Sequence, residues 1–204
     1  MDQQYINHFS MEWFPQFNYI LASKSPRRQQ LLADLGIPFV VWDGDVNEDF
    51  PAGMSKEEIP VFLARKKAEP FIPRLEKSDL LITADTIVWL NGEVLGKPGD
   101  EAHAREMLLK LSGNVHQVIT GVTLTSAEHE RSFSETTDVR FSILSDDEIE
   151  YYIRNYLPFD KAGAYGIQEW IGLAGIESVS GSYPNVVGLP VHRLYREICR
   201  FPIE

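Results

Sequence analysis

Short apolar runs and helix-period segments alternate along the first half of this chain. Residues 19–22 (Tyr-Ile-Leu-Ala) are brief and apolar, which reads as a buried strand. The period then changes: Leu31, Leu32 and Leu35 share one helical face. Ser25 is a good N-cap for that helix, Pro26 fits its first position and Gly36 closes it. Residues 39–42 read as a second short strand, and 43–53 as an acidic loop. Ser55 and Glu58 have capping-box spacing for a helix that Pro70 stops, with Ile59, Phe62, Leu63 and Lys66 on its inward side. Pro60 falls inside that helix and leaves its start open. Residues 79–84 form a nearly continuous apolar run, the mark of a strand buried on both faces, which Asp85 is expected to terminate.

Further along, 86–90 and 93–95 flank Asn91-Gly92, a strong hairpin signal. Gly96-Lys97-Pro98-Gly99 reads as a turn, and Asp100 caps a helix through Leu111 that Gly113 closes. Residues 115–125 and 131–143 read as an antiparallel strand pair, and Ser145 with Glu148 caps a helix to Asn155. The stretch 157–190 is rich in glycine and aromatics with little periodicity, too long for an idle loop. Pro190 opens a last helix through Val191, Leu194, Tyr195 and Ile198. Early alternation followed by local strand pairing predicts an α/β protein with a mixed sheet.

Composition narrows the function classes. The 204 residues carry a net charge of −11, which argues against a general nucleic-acid or membrane-surface binder. Against that acidic background Arg27, Arg28, Arg65, Lys66, Lys67 and Lys97 stand out, and a small anionic ligand fits them better than a polyanion. Cys199 is the only cysteine and reads as a small packing residue. No apolar run approaches membrane-spanning length. Residues 1–18 hold Asp2 and Glu12 without a basic start or a continuous apolar stretch, so they read as an N-terminal extension rather than a signal peptide. Trp13, Phe14 and Phe17 give that extension something to pack with, ahead of a single domain over 19–204 in a cytoplasmic protein.

Arg27 and Arg28 stand in the first turn of a helix, where the partial positive charge makes cations unfavourable by a few tenths of a kcal/mol each. A bound anion reverses that sign, and helix-start amides, serine hydroxyls and two guanidinium forks make a phosphate site. Asp85, followed by Thr86, stands where α/β folds place ligands; it can hold a hard metal, act as a base toward water, or merely cap a turn. Lys97 lies one hairpin away. Arg65, Lys66 and Lys67 point about 100° apart, so at most two of them face one site. Asp43, Asp45, Glu48 and Asp49 can give an oxygen ligand to Mg²⁺ or Mn²⁺, or stay solvated. Gln168, among small residues, offers a donor and an acceptor suited to a base edge. The histidines lack metal spacing, and no P-loop, dinucleotide fingerprint or nucleophile elbow occurs.

An ordered set of segments resembles the Maf-like nucleoside triphosphate pyrophosphatases. It comprises Leu21-Ala22-Ser23 with Ser25-Pro26-Arg27-Arg28, Ala84-Asp85-Thr86, Gly96-Lys97-Pro98, and Leu111-Ser112-Gly113 with His116. Residues 161–168, then Gly181-Ser182-Tyr183 with Val187-Gly188-Leu189-Pro190, complete it. The resemblance runs from about Ile20 to Ile198. It implies hydrolysis of a nucleoside triphosphate to the monophosphate and pyrophosphate with a divalent metal, Mg²⁺ or Mn²⁺. It also implies a two-lobed fold around a long mixed twisted sheet flanked by helices, with a central cleft as in inosine triphosphatases, and a homodimer. The family's catalytic acid falls on Asp85 and its other acidic residue on Glu48, the pair that would hold metal. Its phosphate-binding residues fall on Ser23, Arg28, Lys67 and Lys97. Arg27, Thr86 and Gln168 occupy the selectivity positions and match the branch that favours dTTP and UTP; the branch favouring methylated GTP carries Trp, Gln and Glu there. A non-catalytic nucleotide sensor linked to cell division is the rival reading. An RNA-binding regulator fits the acidic balance poorly.

Overall fold

The computed structural model describes residues 14–44 and 46–202; Trp13 and Asp45 lie outside them. Strand β1 (Asn18–Ala22) leads into helix α1 (Pro26–Asp34), whose N-cap Ser25 accepts a hydrogen bond from the Arg28 amide. Strand β2 (Phe39–Trp42) precedes α2 (Glu58–Ala68). Ser55 and Glu58 do exchange capping bonds: the Ser55 amide donates to Glu58 Oε2 at 2.8 Å and the Glu58 amide to Ser55 Oγ at 3.4 Å. The helix begins at Glu58, so Pro60 lies in its first turn, where a missing N–H forfeits no helical bond. Strands β3 (Asp79–Leu90) and β4 (Glu93–Leu95) form the hairpin, followed by α3 (Glu101–Leu111), β5 (Val115–Thr125), β6 (Glu130–Phe141) and α4 (Asp146–Tyr156). The glycine-rich stretch resolves into 3-10 turns, α5 (Trp170–Ala174), β7 (Ile176–Ser180) and α6 (Tyr183–Val187), and α7 (Val191–Ile198) closes the fold.

These strands make one mixed sheet in the order β2-β1-β3-β5-β6-β7, with β4 also on β3. Asp85 does not end a strand. β3 runs through it for 12 residues, because β5 pairs with it continuously from Leu81 to Trp89. The opposite edge of β3 is shared: β1 pairs in parallel over Asn18↔Asp79 to Leu21↔Ile82, and β4 pairs antiparallel over Val88 to Leu90. Among the described residues, 83–87 therefore have a strand neighbour on one side only. The sheet splits at Asp85, and the gap between β1 and β4 opens the cleft.

The apolar clusters obey the same division. On one face Leu80, Ile82, Val122 and Leu124 pack with Leu32 of α1 and Leu194 of α7. Farther along that face Val88, Leu90 and Val118 pack with Leu108 of α3 and Tyr152 of α4. Thr86 and Thr120, joined at 2.9 Å, lie between the two clusters. On the other face Ile20 and Leu81 gather with Phe71, while Ile87 and Ile119 gather with Ile59 and Leu63. Thr83 and Asp85 lie between those. A polar rung thus crosses the sheet's middle on both faces. Gly121, opposite Asp85 in the β3–β5 ladder, lets α2 sit directly on that rung. A Cβ there would stand 2.3 Å from the Pro60 carbonyl carbon. Ahead of β1, Phe14 stacks on Tyr195 and Phe17 meets Phe201 edge-on.

Candidate active site

Asp85, 6% exposed, points toward α2. Its Oδ1 accepts from Lys67 Nζ at 2.5 Å, and the same ammonium reaches Glu48 Oε1 at 2.8 Å. Glu48 Oε2 in turn lies 3.3 Å from Lys97 Nζ. A strand, a helix, an acidic loop and a turn thus contribute to one alternating chain of charge. Burial pushes the Glu48 carboxyl upward, but the hydrogen bonds and charges of Lys67 and Lys97 outweigh it and hold its pKa below the ordinary value. Of the three α2 cations, Lys67 is the inward one. Lys66 turns to the Asp49 carbonyl, and Arg65 bonds Ser132 and pairs with Glu130.

Arg28 sits on the opposite face of β3. Its Nη2 donates to Thr86 Oγ1 at 2.9 Å and its Nε to the Gly188 carbonyl at 2.8 Å, which locks the guanidinium plane. Burial lowers its pKa while Asp85 and Glu48 pull it back up; a guanidinium stays protonated throughout. Ser23 steadies the turn before α1, its Oγ accepting from the Ser25 amide at 3.2 Å and its carbonyl from Gln29 at 3.0 Å.

Arg27 faces away from this cluster, with Nη1 3.2 Å from Asp160 Oδ2. Asp160 Oδ1 accepts from Lys161 Nζ at 2.7 Å, and Lys161 Nζ lies 3.1 Å from Glu169 Oε1. Tyr152 donates a short hydrogen bond to Glu169 Oε2. Gln168 is exposed at the tip of the 166–169 turn, which the Glu169 amide closes onto the Gly166 carbonyl at 3.0 Å. Below it, His116 Nε2 lies 2.7 Å from the Tyr165 hydroxyl. The sequence marked Lys161 only as the start of the 161–168 motif and gave no signal joining it to Asp160, Glu169 and Tyr152; the irregular chain path between α4 and α5 brings them together.

One cavity of about 500 Å³ is bordered by Ser23, Arg27, Arg28, Glu48, Lys67, Asp85, Thr86, Lys97 and Gln168. Charged side chains of α1, α2, β3 and the Glu48 loop line it together with the Gly96-Lys97 turn and residues between 160 and 168; the Gly163 amide donates to the Gly96 carbonyl at 3.0 Å, so the last two adjoin. Such a cavity can take an anionic group together with a planar polar group. Among the described residues no three His, Cys, Asp or Glu side chains gather as a metal cluster, and no helix is long and apolar enough to cross a membrane.

The family model for Maf-like proteins matches residues 18–201. The chain belongs to the Maf family. Its relatives include a Bacteroides fragilis protein named dTTP/UTP pyrophosphatase, 54% identical over 89% of this chain and 95% of that one. A Porphyromonas gingivalis protein of the same name is 50% identical over 91% of this chain and 94% of its own length. Among solved structures, the Staphylococcus aureus Ham1 protein aligns with a TM-score of 0.41 at 20% identity, covering 61% of this Maf chain and 71% of its own.

Proposed function

We propose that this Maf protein is a nucleoside triphosphate pyrophosphatase that hydrolyses dTTP and UTP to the monophosphate and pyrophosphate. The observation that carries the reading is the shared cavity: Arg28, Lys67, Lys97 and Gln168 all border it, and Asp85 lies at the split in the sheet. The names of relatives at 50–54% identity agree with it.

In this reading the triphosphate replaces Glu48 and Asp85 as the partner of Lys67 and Lys97, so the cations exchange one set of anionic oxygens for another. Arg28, fixed by Thr86 and Gly188, sets the direction of the tail, with Ser23 and the start of α1 beside it. Asp85, on a strand with little freedom to move, orients a water at the α-phosphorus and accepts its proton. Pyrophosphate leaves against the lysines, whose charge balances what develops on it. Gln168 meets the base edge, with Arg27 and Thr86 completing the selection; a base of the wrong pattern leaves buried polar groups unpaired.

The donor set fits a divalent metal. Two hard carboxylates, Asp85 and Glu48, converge on one lysine nitrogen, and Mg²⁺ is commonly held by one or two carboxylates together with substrate phosphates. When bound, Mg²⁺ or Mn²⁺ supplies charge neutralisation on the phosphate oxygens. The family resemblance adds the expectation of a cytoplasmic homodimer, which light scattering of the purified chain checks for mass.

The test is pyrophosphate release from a panel of dTTP, UTP, dCTP, dATP, dGTP and N7-methylated GTP, with Mg²⁺ or Mn²⁺. dTTP and UTP should lead. A preference for methylated GTP would move the chain to the other branch, and tight triphosphate binding without turnover would make it a sensor.

A further inference from the structure

A second lysine held between two carboxylates borders the cavity, besides Lys67 between Asp85 and Glu48. Lys161 is 8% exposed, yet it borders the cavity and carries an ammonium between two carboxylates, Asp160 at 2.7 Å and Glu169 at 3.1 Å. A cation this buried stays where it is only when paired, so the pair defines the position of whatever carries it. What it carries is the 166–169 turn. The Gly166 amide donates to Tyr152 Oη at 2.9 Å, and Tyr152 donates to Glu169. A Cβ on Gly166 would stand 2.9 Å from the Glu169 carboxyl carbon and 3.1 Å from Lys161 Cε, so the turn's backbone lies directly on the ion pair. The far oxygen of Asp160 holds Arg27 at 3.2 Å. Arg27 on α1 and Gln168 on the turn, 141 positions apart by residue number, are thereby tied to one internal cation.

We propose that Lys161, paired with Glu169 and Asp160, is a positioning residue for base selection, holding the Gln168 turn and the Arg27 guanidinium at a fixed mutual distance. It touches neither the reacting phosphorus nor the leaving group. The proposal rests on the reading of the chain as a base-selective triphosphate pyrophosphatase, and it adds a residue that acts on the nucleoside end alone.

The experiment compares wild type with Lys161→Met and Glu169→Gln. It measures kcat and KM for dTTP, UTP and dGTP, inhibition by inorganic tripolyphosphate, and the thermal unfolding midpoint. Lys161→Met should cut the preference for dTTP over dGTP about 10-fold, mainly through KM for dTTP. Glu169→Gln, which keeps the side-chain volume and carries the test if the methionine variant does not fold, should cut it about 3-fold. Tripolyphosphate inhibition, which reports the phosphate end, should stay within about 2-fold of wild type in both. The double variant, which leaves no orphan charge, should recover part of any lost unfolding midpoint but not the preference. Folded variants that keep the wild-type preference overturn the role of Lys161 and leave the proposed function standing. An equal loss on every nucleotide and on tripolyphosphate also overturns it, because Lys161 would then be a purely structural ion. Wild type that turns over no triphosphate removes the proposed function itself, and the positioning role with it.

Discussion

At the proposed phosphate end of the cavity, Lys67 from a helix joins Asp85 on a strand to Glu48 from a loop, and Glu48 meets Lys97 from a turn. At the base end, Asp160, Lys161 and Glu169 come from one short stretch and bond to each other and to Tyr152. The first set is open: Glu48 and Lys97 are about half exposed and can change partners. The second is closed at the Lys161–Glu169 pair, with 9% and 24% side-chain exposure, while Asp160 at 61% forms its outer edge; that pair has little reason to change. Binding of a triphosphate should therefore rearrange ion pairs at one end and leave them intact at the other. Under the proposed function, rate and tail affinity belong to the open set and selectivity to the closed one.

The sharpest way to break this division is at Asp85. Asp85→Asn keeps shape but removes the carboxylate, and it should lower kcat for dTTP about 10³-fold with the base preference retained. A stopped assay of pyrophosphate release reads it, and unchanged turnover would remove Asp85 from the chemistry.

His116, bonded to Tyr165 just before the Gln168 turn, should show itself in acid. Burial lowers the His116 pKa from 6.5 to about 4, against a weaker upward pull from Asp138. The unfolded chain therefore takes up that proton first. This contribution to stability is complete above about pH 6.5 and is lost as pH falls toward 4, for a total on the order of 3 kcal/mol. Urea unfolding across that range measures it, and His116→Gln should flatten the slope.

Gln168→Glu should change the ratio of kcat/KM for dTTP over dGTP about 10²-fold while moving kcat on the better substrate little. An equal loss on both nucleotides would contradict a reading role. The smallest effect belongs to Lys97, the most exposed of the tail cations: Lys97→Met should raise KM for dTTP and UTP alike, by about 5-fold, with kcat nearly unchanged.

Much of this was legible before any coordinates. Capping residues and hairpin signals gave α1, α3, α4 and the β3–β4 turn, because those boundaries are set by local chemistry. Asp85 misled as a strand terminator: an aspartate inside an apolar run looks like an end, and nothing local says that a distant strand, β5, pairs straight past it. Lys66 against Lys67 was a matter of 100° on a helix whose docking depends on Gly121, some 55 residues away by number. At the site, charged residues in an acidic chain and an ordered set of motifs marked the open end. The closed end was marked only in part: residues 161–168 belong to the ordered motifs, but the link from Lys161 to Asp160, Glu169 and Tyr152 arises from an irregular path that includes left-handed Gly163 and Ala164, φ 68° and 57°.

Under the proposed function one cavity measures one nucleotide, with its tail on the open ion pairs and its base on the closed ones. A crystal structure with the non-hydrolysable α,β-imido analogue of dTTP and Mg²⁺ tests this most directly. The β- and γ-phosphates should lie on Lys67, Lys97 and Arg28, with Glu48 released from Lys67 and thymine against Gln168, the Lys161–Glu169 pair unmoved. A nucleotide bound the other way round, or a tail that leaves Lys67 still on Asp85 and Glu48, would contradict it.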